Sequence, residues 1–448
     1  MHRSWTSGLV ALGACLAAGC MPAQLPPVAL LEIDGFSARD VVTHVHEERV
    51  VECDEGHEVR YTYVAGVADG AEFLLTKPST RDVAPGADIW DEHERLVLFA
   101  RGYIPPSEPS GFPDPLPSSI VALRDALTCQ GFALAASSYA ANGFAVREGV
   151  RDTHLLNALF ARHFGVAPDR TFVVGQSMGG LVTLRLVEHY PHRYDGALVF
   201  CAPSGGSLLQ LTYVGHVRVL AAHFFPELFA ADALTPTPRS LAEVARLVEA
   251  IDEDALLALG SMRLPGSELF QPGGVPLLPI DPASDDVVAA LRTSLLSALE
   301  YWEVGMADVL ERGAGSPFGN STTYYRSEAL GFAETLALNR DVERHRLSAA
   351  ALLHWLRWYQ PRGNLRLPVV SMHTSADASV PIAHAVVYAE LAKIAGAADL
   401  VLVYPIERYG HCTFTPEELA AGLAYVVTWA ETGARPPLPA ASVAANRP

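Results

Sequence analysis

The sequence predicts an α/β fold with a mostly parallel central sheet, helices on both faces and a helical insertion. Three observations predict it. Between Leu96 and Cys201, short apolar runs alternate with helical patterns, the order that a parallel sheet with crossover helices requires. From Ser204 to about Arg366 that alternation stops and helical patterns separated by Pro- and Gly-rich connectors take over. From Leu367 to about Thr432 strand and helix patterns resume.

The chain begins with a segment that reads as a signal peptide over residues 1–19. His2 and Arg3 give a short positive start, and Gly8 to Ala18 is an apolar run too short to span a bilayer. It closes on Leu16-Ala17-Ala18-Gly19-Cys20, which resembles the lipobox of bacterial lipoproteins, cleaved before a cysteine that is then lipidated. Membrane attachment through Cys20 is the expectation and plain secretion the alternative. The chain is exported on either reading. Residues 20–30, rich in proline, read as a tether.

The catalytic domain is expected over 31–203 and 367–435. Val41 to His46, Val59 to Val64 and Glu72 to Leu75 have strand composition and suit an antiparallel start to a mixed sheet. Leu96 to Ala100 is an apolar strand, followed by a Pro-rich loop from Ile104 to Pro117 and a helix around Ser119 to Cys129. A strand follows at Phe132 to Ser138, then a helix over Thr153 to Phe164 with Asp152 at the expected N-cap. Arg170 to Val174 is a buried strand, Leu181 to Val187 a helix, and Gly196 to Cys201 another strand.

The insertion, 204–366, shows helical patterns at Val214 to Phe225, Ser240 to Ile251, Asp285 to Trp302 and Ala349 to Trp358. After it come a strand at Leu367 to Met372, a helix at Ile382 to Ala395, a strand at Leu400 to Tyr404 and a helix from Pro416 to about Thr432. Residues 436–448 read as a loose tail.

Between the Arg170 strand and its helix stands Gly175-Gln176-Ser177-Met178-Gly179-Gly180. A strand turning abruptly into a helix around G-x-S-x-G is a nucleophile elbow. The turn strains the serine backbone, so its neighbours must be nearly without side chains, and Gly175 and Gly179 meet that need. A serine hydroxyl needs a base, and the base an orienting carboxylate. In sheets of this kind active groups gather at the carboxyl ends of the strands. Two loops qualify: His373 to Pro381, containing Asp377, and Glu407 to Cys412, containing His411. Asp195 and Glu407 are rival carboxylates and His373 the rival base. Ser137-Ser138-Tyr139 and Tyr324-Tyr325 are candidates for lining the pocket.

In its elbow, its aspartate loop and its Gly410-His411 loop the chain resembles the α/β-hydrolase superfamily, and its elbow the esterase and lipase branch. The resemblance covers roughly Leu96–Cys201 and Leu367–Thr432, with the insertion where that superfamily places its lid. It implies Ser177 as nucleophile, His411 as general base and then acid, and Asp377 as the group orienting His411. It also implies an oxyanion hole made by the Met178 backbone N–H and one from the loop after Ala100, with Tyr103 the first choice and Gly102 the second. Many members carry His-Gly in that loop, whereas this chain has Arg101-Gly102-Tyr103, which leaves the Arg101 side chain without a role. The resemblance implies a serine hydrolase acting on a small ester, to which the apolar helix faces of the insertion add an apolar moiety; a peptidase or amidase with the same triad and a non-catalytic surface lipoprotein on the same scaffold are the alternatives, and no cofactor or metal is implied.

Composition narrows the partners. Thirty-two Lys+Arg against 50 Asp+Glu give a formal net charge of −18, which argues against nucleic acid. Beyond Cys15 and Cys20 the cysteines are Cys53, Cys129, Cys201 and Cys412, which in an exported protein allow three full pairings. A disulfide at Cys412 would brace the loop that carries His411. No C-x-x-C exists to suggest a redox motif or structural zinc.

Overall fold

Three long strands, β1 (Val41–Glu52), β2 (Glu58–Ala68) and β3 (Ala71–Arg81), open the described chain as an antiparallel meander. The computed structural model describes residues 41–53, 56–81, 90, 94–229, 233–235, 239–267 and 274–437. The expected signal peptide, the tether with Cys20 and all but the first residues of the expected tail lie outside them.

Six parallel strands complete the sheet: β4 (Arg95–Ala100), β5 (Ala133–Ser137), β6 (Arg170–Gln176), β7 (Gly196–Phe200), β8 (Val369–Ala376) and β9 (Val401–Tyr409). Their order, β1-β2-β3-β5-β4-β6-β7-β8-β9, joins the meander antiparallel to β5. Strands β5 and β7 are buried throughout, and β4 and β6 along nearly their whole length, as strands covered on both faces must be.

The helices follow from the crossovers. On one face α1 (Ser118–Cys129) and α11 (Pro416–Thr432) contribute Leu127, Val426 and Trp429 to a core with Val97, Phe172, Leu198 and Val370. Their strand neighbours Leu96 and Leu98 point the other way by the two-residue pleat. Helices α2 (Val146–Phe164) and α3 (Met178–His189) pack against one another and against the strands. α10 (Ala383–Ile394) packs on β9.

Several boundaries differ from expectation, and those of α2, β8 and β9 differ for physical reasons. Helix α2 starts two turns early, so Asp152 is not an N-cap. Its buried carboxylate instead accepts the Ala140 N–H at 2.8 Å and pairs with Arg151 at 2.7 Å. Strands β8 and β9 run past Met372 and Tyr404, pairing as far as Ala376 with Tyr409, which puts His373 and Glu407 in strands rather than loops.

The remaining helices are α4 (Ser207–Phe224), α5 (Leu241–Glu249), α6 (Glu253–Gly260), α7 (Val287–Arg312), α8 (Phe332–Asp341) and α9 (Ala349–Trp358). The chain divides into two compact units. The described parts of Leu211–Met306 and Gly313–Leu352 form one, and those of Ala38–Gln210, Ala307–Arg312 and Leu353–Pro448 the other. In the helical unit, buried Glu303 holds both Arg218 and Arg239, and Trp302 packs edge-on against Phe318. Helices α6 and α8 lie outside the expected helical patterns; α6 is opened by Asp252, whose carboxylate caps the Ala255 N–H.

Candidate active site

A single residue, Ser177, makes the turn between β6 and α3. Its backbone sits at φ +51° and ψ −122°, a region that residues with a side chain enter only under strain. The glycines make the turn sterically feasible. A Cβ on Gly179 would collide with the backbone oxygens of Ala100 and Arg101, and one on Gly175 with Gly179 and Thr183.

Sheet register then brings the other loops to the same rim. Ala100 pairs with Gly175, Gln176 with Phe200 and Phe200 with Met372, so these strands end level. The extended ends of β8 and β9 carry their loops beyond that level. The Gly410 N–H donates to Ala376 O at 3.0 Å and the Thr374 hydroxyl to Gly410 O at 2.7 Å, which ties the Asp377 loop to the His411 loop.

The three predicted residues meet. His411 Nε2 lies 2.9 Å from Ser177 Oγ, and His411 Nδ1 lies 2.7 Å from Asp377 Oδ2. An ionised carboxylate only accepts, so the Asp377 contact requires the proton on Nδ1 and leaves the Nε2 lone pair for the serine hydroxyl. Asp377 is 1% exposed, and its Oδ1 accepts the Ser379 and Val380 N–H groups, each at 2.9 Å. Those bonds supply a buried carboxylate with the donors it needs.

The rivals lie elsewhere. Glu407 is exposed on β9. Asp195 accepts from Arg170 and the Thr171 N–H at the start of β6. His373 is buried, its Nε2 bonds the Val380 carbonyl at 2.8 Å, and it sits 3.7 Å from Asp377 Oδ2. Burial holds its pKa below the ordinary value, with Asp377 opposing.

Two disulfides form, Cys53–Cys129 and Cys201–Cys412. The second links the residue after β7 to the residue after His411, and both of its cysteines have positive φ, +46° and +57°. Among the described residues, Cys201, Cys412 and His411 are also a group close enough to suggest metal ligation, but the two sulfurs are spent on each other.

Met178 is the first residue of α3, and N–H groups of a first turn have no acceptor within the helix. A Cβ on Gly102 would lie 3.4 Å from Ser177 Cβ and 3.6 Å from Gln176 O, so this backbone passes directly beside the serine. The Tyr103 N–H belongs to the next peptide of the same loop. Ser137-Ser138-Tyr139 serves as a brace rather than a lining: Tyr139 is 1% exposed and its hydroxyl donates to Arg101 O at 3.3 Å. Tyr325 is buried in the helical unit, where its oxygen meets Asn320 and His216.

Residues 143–265 match the family model Hydrolase_4, described as serine aminopeptidase, S33. The match spans the elbow but neither Asp377 nor His411. The sheet order, with the elbow between β6 and α3, is that of the α/β-hydrolase fold. No curated protein matches the sequence. Solved structures similar to it include feruloyl esterase B from Aspergillus oryzae, at 12% identity over 90% of this chain and 89% of that one, with a TM-score of 0.45. Tannin acyl hydrolase from Aspergillus niger is 15% identical over 88% and 83% of the two chains, with a TM-score of 0.43. Candida antarctica lipase A is 12% identical over 90% and 84%, with a TM-score of 0.42.

Proposed function

We propose that the chain is a serine hydrolase of the α/β-hydrolase superfamily that cleaves carboxylic esters through an acyl-enzyme. The observation that carries the reading is the pair of hydrogen bonds joining Ser177 to His411 and His411 to Asp377. In the first step Ser177 Oγ attacks the ester carbonyl while His411 Nε2 takes the hydroxyl proton. Asp377 stabilises the imidazolium so formed. The negative oxygen of the tetrahedral intermediate accepts from the Met178 N–H and from the Gly102-Tyr103 loop, each such donor contributing on the order of 3 kcal/mol. The imidazolium then gives its proton to the departing alcohol. A water molecule repeats the sequence on the acyl-enzyme, releasing the acid and restoring Ser177.

The test is a fluorophosphonate label. Attachment at Ser177 in wild type, with loss of both label and turnover of p-nitrophenyl esters in Ser177→Ala, is expected. A folded wild-type protein that takes no label would sink the reading. Amide cleavage is the second reading, favoured by the family model's description as a serine aminopeptidase. Aminoacyl p-nitroanilides beside the ester panel separate the two, faster turnover of the anilides favouring the peptidase.

The same proposal has the enzyme exported and held at the cell envelope through a lipid on Cys20. Two disulfides suit an oxidising compartment. Selection of acyl or alcohol groups by the helical insertion, expected to act as a lid, belongs to this proposal too, and removal of the chain-length preference by substitutions there is its test.

A further inference from the structure

The loop beside Ser177 rests on a buried arginine. Arg101 directly follows β4 and is 7% exposed. Among the described residues its guanidinium forms no ion pair. Its hydrogen bonds go to neutral oxygens instead: Nε to Ser138 O at 2.7 Å, Nη1 to Gly102 O at 3.0 Å, and Nη2 to Ala141 O at 3.2 Å and Asn142 Oδ1 at 3.0 Å. The guanidinium lies 4.4 Å over the Tyr139 ring. Arginine stays protonated, so a full charge has left water with no carboxylate bonded to it, Asp152 attracting it only from a distance, a cost that an apolar side chain of similar length would avoid.

The Nη1 bond gives that charge a use. Gly102 O and the Tyr103 N–H are the two ends of one trans peptide plane and point in opposite directions. Fixing the carbonyl therefore fixes the direction of the N–H. The plane starts at Gly102, whose backbone lies against Ser177. The far side of the fork is equally anchored. Asn142 Nδ2 donates to Glu108 O at 2.9 Å and Pro109 O at 3.1 Å, and Asn142 O accepts from Arg312 Nη2 at 2.9 Å.

We infer that Arg101 is the positioning residue of the oxyanion loop: its forked guanidinium locks the Gly102–Tyr103 peptide so that the loop's backbone donors face the oxyanion formed at Ser177. The inference rests on the serine-hydrolase reading above. It assigns the work to the fork's geometry, not to its charge. A lysine keeps the charge, but a single ammonium cannot span Ser138 O, Gly102 O and Asn142 Oδ1 together.

The experiment compares wild type, Arg101→Lys, Arg101→Met and Asn142→Ala. Active sites are counted by fluorophosphonate labelling run to completion, and kcat and KM are measured on one p-nitrophenyl ester. The inhibition constant of a phenylboronic acid, which forms a tetrahedral adduct with serine, is measured alongside. Both Arg101 variants should lose roughly 10²–10³-fold in kcat per labelled site, the scale of one oxyanion donor. KM should stay within about threefold, with boronate affinity falling in parallel with kcat. A residue that merely packs would reduce the number of sites and the unfolding midpoint while kcat per site held. Wild-type kcat per site in Arg101→Lys overturns the inference. Should both Arg101 variants fail to fold, Asn142→Ala decides: about a tenfold fall in kcat per site supports it, by the loss of one bond to a charged group, and no fall overturns it. Retained turnover in Ser177→Ala would instead remove the reading on which the inference stands.

Discussion

Replacing Asp377 by asparagine isolates what the carboxylate does, because the change is isosteric and the surrounding bonds dictate how the amide must sit. Oδ1 faces two backbone donors, the N–H groups of Ser379 and Val380, each at 2.9 Å. Turning the amide nitrogen toward them would leave two buried donors unpaired at about 1–3 kcal/mol each, so the amide oxygen takes that side. The amide nitrogen then occupies the Oδ2 position, 2.7 Å from His411 Nδ1 in the wild type. Two donors cannot face each other, so Nδ1 must become the acceptor and the ring proton moves to Nε2. The lone pair that should receive the Ser177 proton is gone. A base locked in the wrong tautomer lowers kcat by about 10⁴, or roughly 5.5 kcal/mol of transition-state stabilisation. The assay is steady-state hydrolysis of a p-nitrophenyl ester, with urea unfolding run alongside to show that Asp377→Asn retains its fold. A folded Asp377→Asn enzyme within tenfold of wild-type kcat would refute the reasoning.

Burial pushes His384 down to about 3, and among the described residues neither of its ring nitrogens has a hydrogen-bond partner. Below its ordinary 6.5 the unfolded chain binds a proton there that the folded chain refuses until about 3, so stability falls as pH drops through that window. His384→Leu should therefore lose roughly 3 kcal/mol less than wild type between pH 7 and pH 4 in urea unfolding, and equal losses would rule the account out. For the envelope anchor, radiolabelled palmitate fed to expressing cells should enter wild type and not Cys20→Ser, which should appear in the soluble fraction; equal labelling of both would exclude Cys20 as the lipid site.

Much of this site was legible because its parts announce themselves locally. Strand-glycine-serine-glycine-helix is a contiguous signal with a steric cause, and Asp377 and His411 follow strands recognisable by their apolar runs. What stayed hidden depends on partners distant in sequence. Asp152 looks like an N-cap because it precedes a helical pattern, yet its carboxylate answers the Ala140 N–H, twelve residues back. Arg101 has no signature at all, since its partners are mainly backbone carbonyls and any residue can supply those. The pairing of Cys201 with Cys412, 211 residues apart, is likewise a property of where strands β7 and β9 end.

The lengths of β8 and β9 are the least legible feature and the one on which the geometry turns. His373 to Ser375 are polar, and Pro405 to Arg408 hold a proline and two charged residues, so the strand pattern stops at Met372 and Tyr404 while the hydrogen-bonded ladder continues to Ala376 and Tyr409. Had the ladder ended with the pattern, both loops would leave the sheet level with Phe200, and the Gly410 N–H would have no Ala376 carbonyl to hold it. The extra residues place Asp377 one residue past β8 and His411 two past β9, with their loops bonded to each other through Thr374 and Gly410 without help from Ser177. The acid–base pair is thus held by the ends of β8 and β9, with the Cys201–Cys412 disulfide tying the histidine loop to the end of β7. The elbow has only to present its hydroxyl to a dyad that the sheet has built.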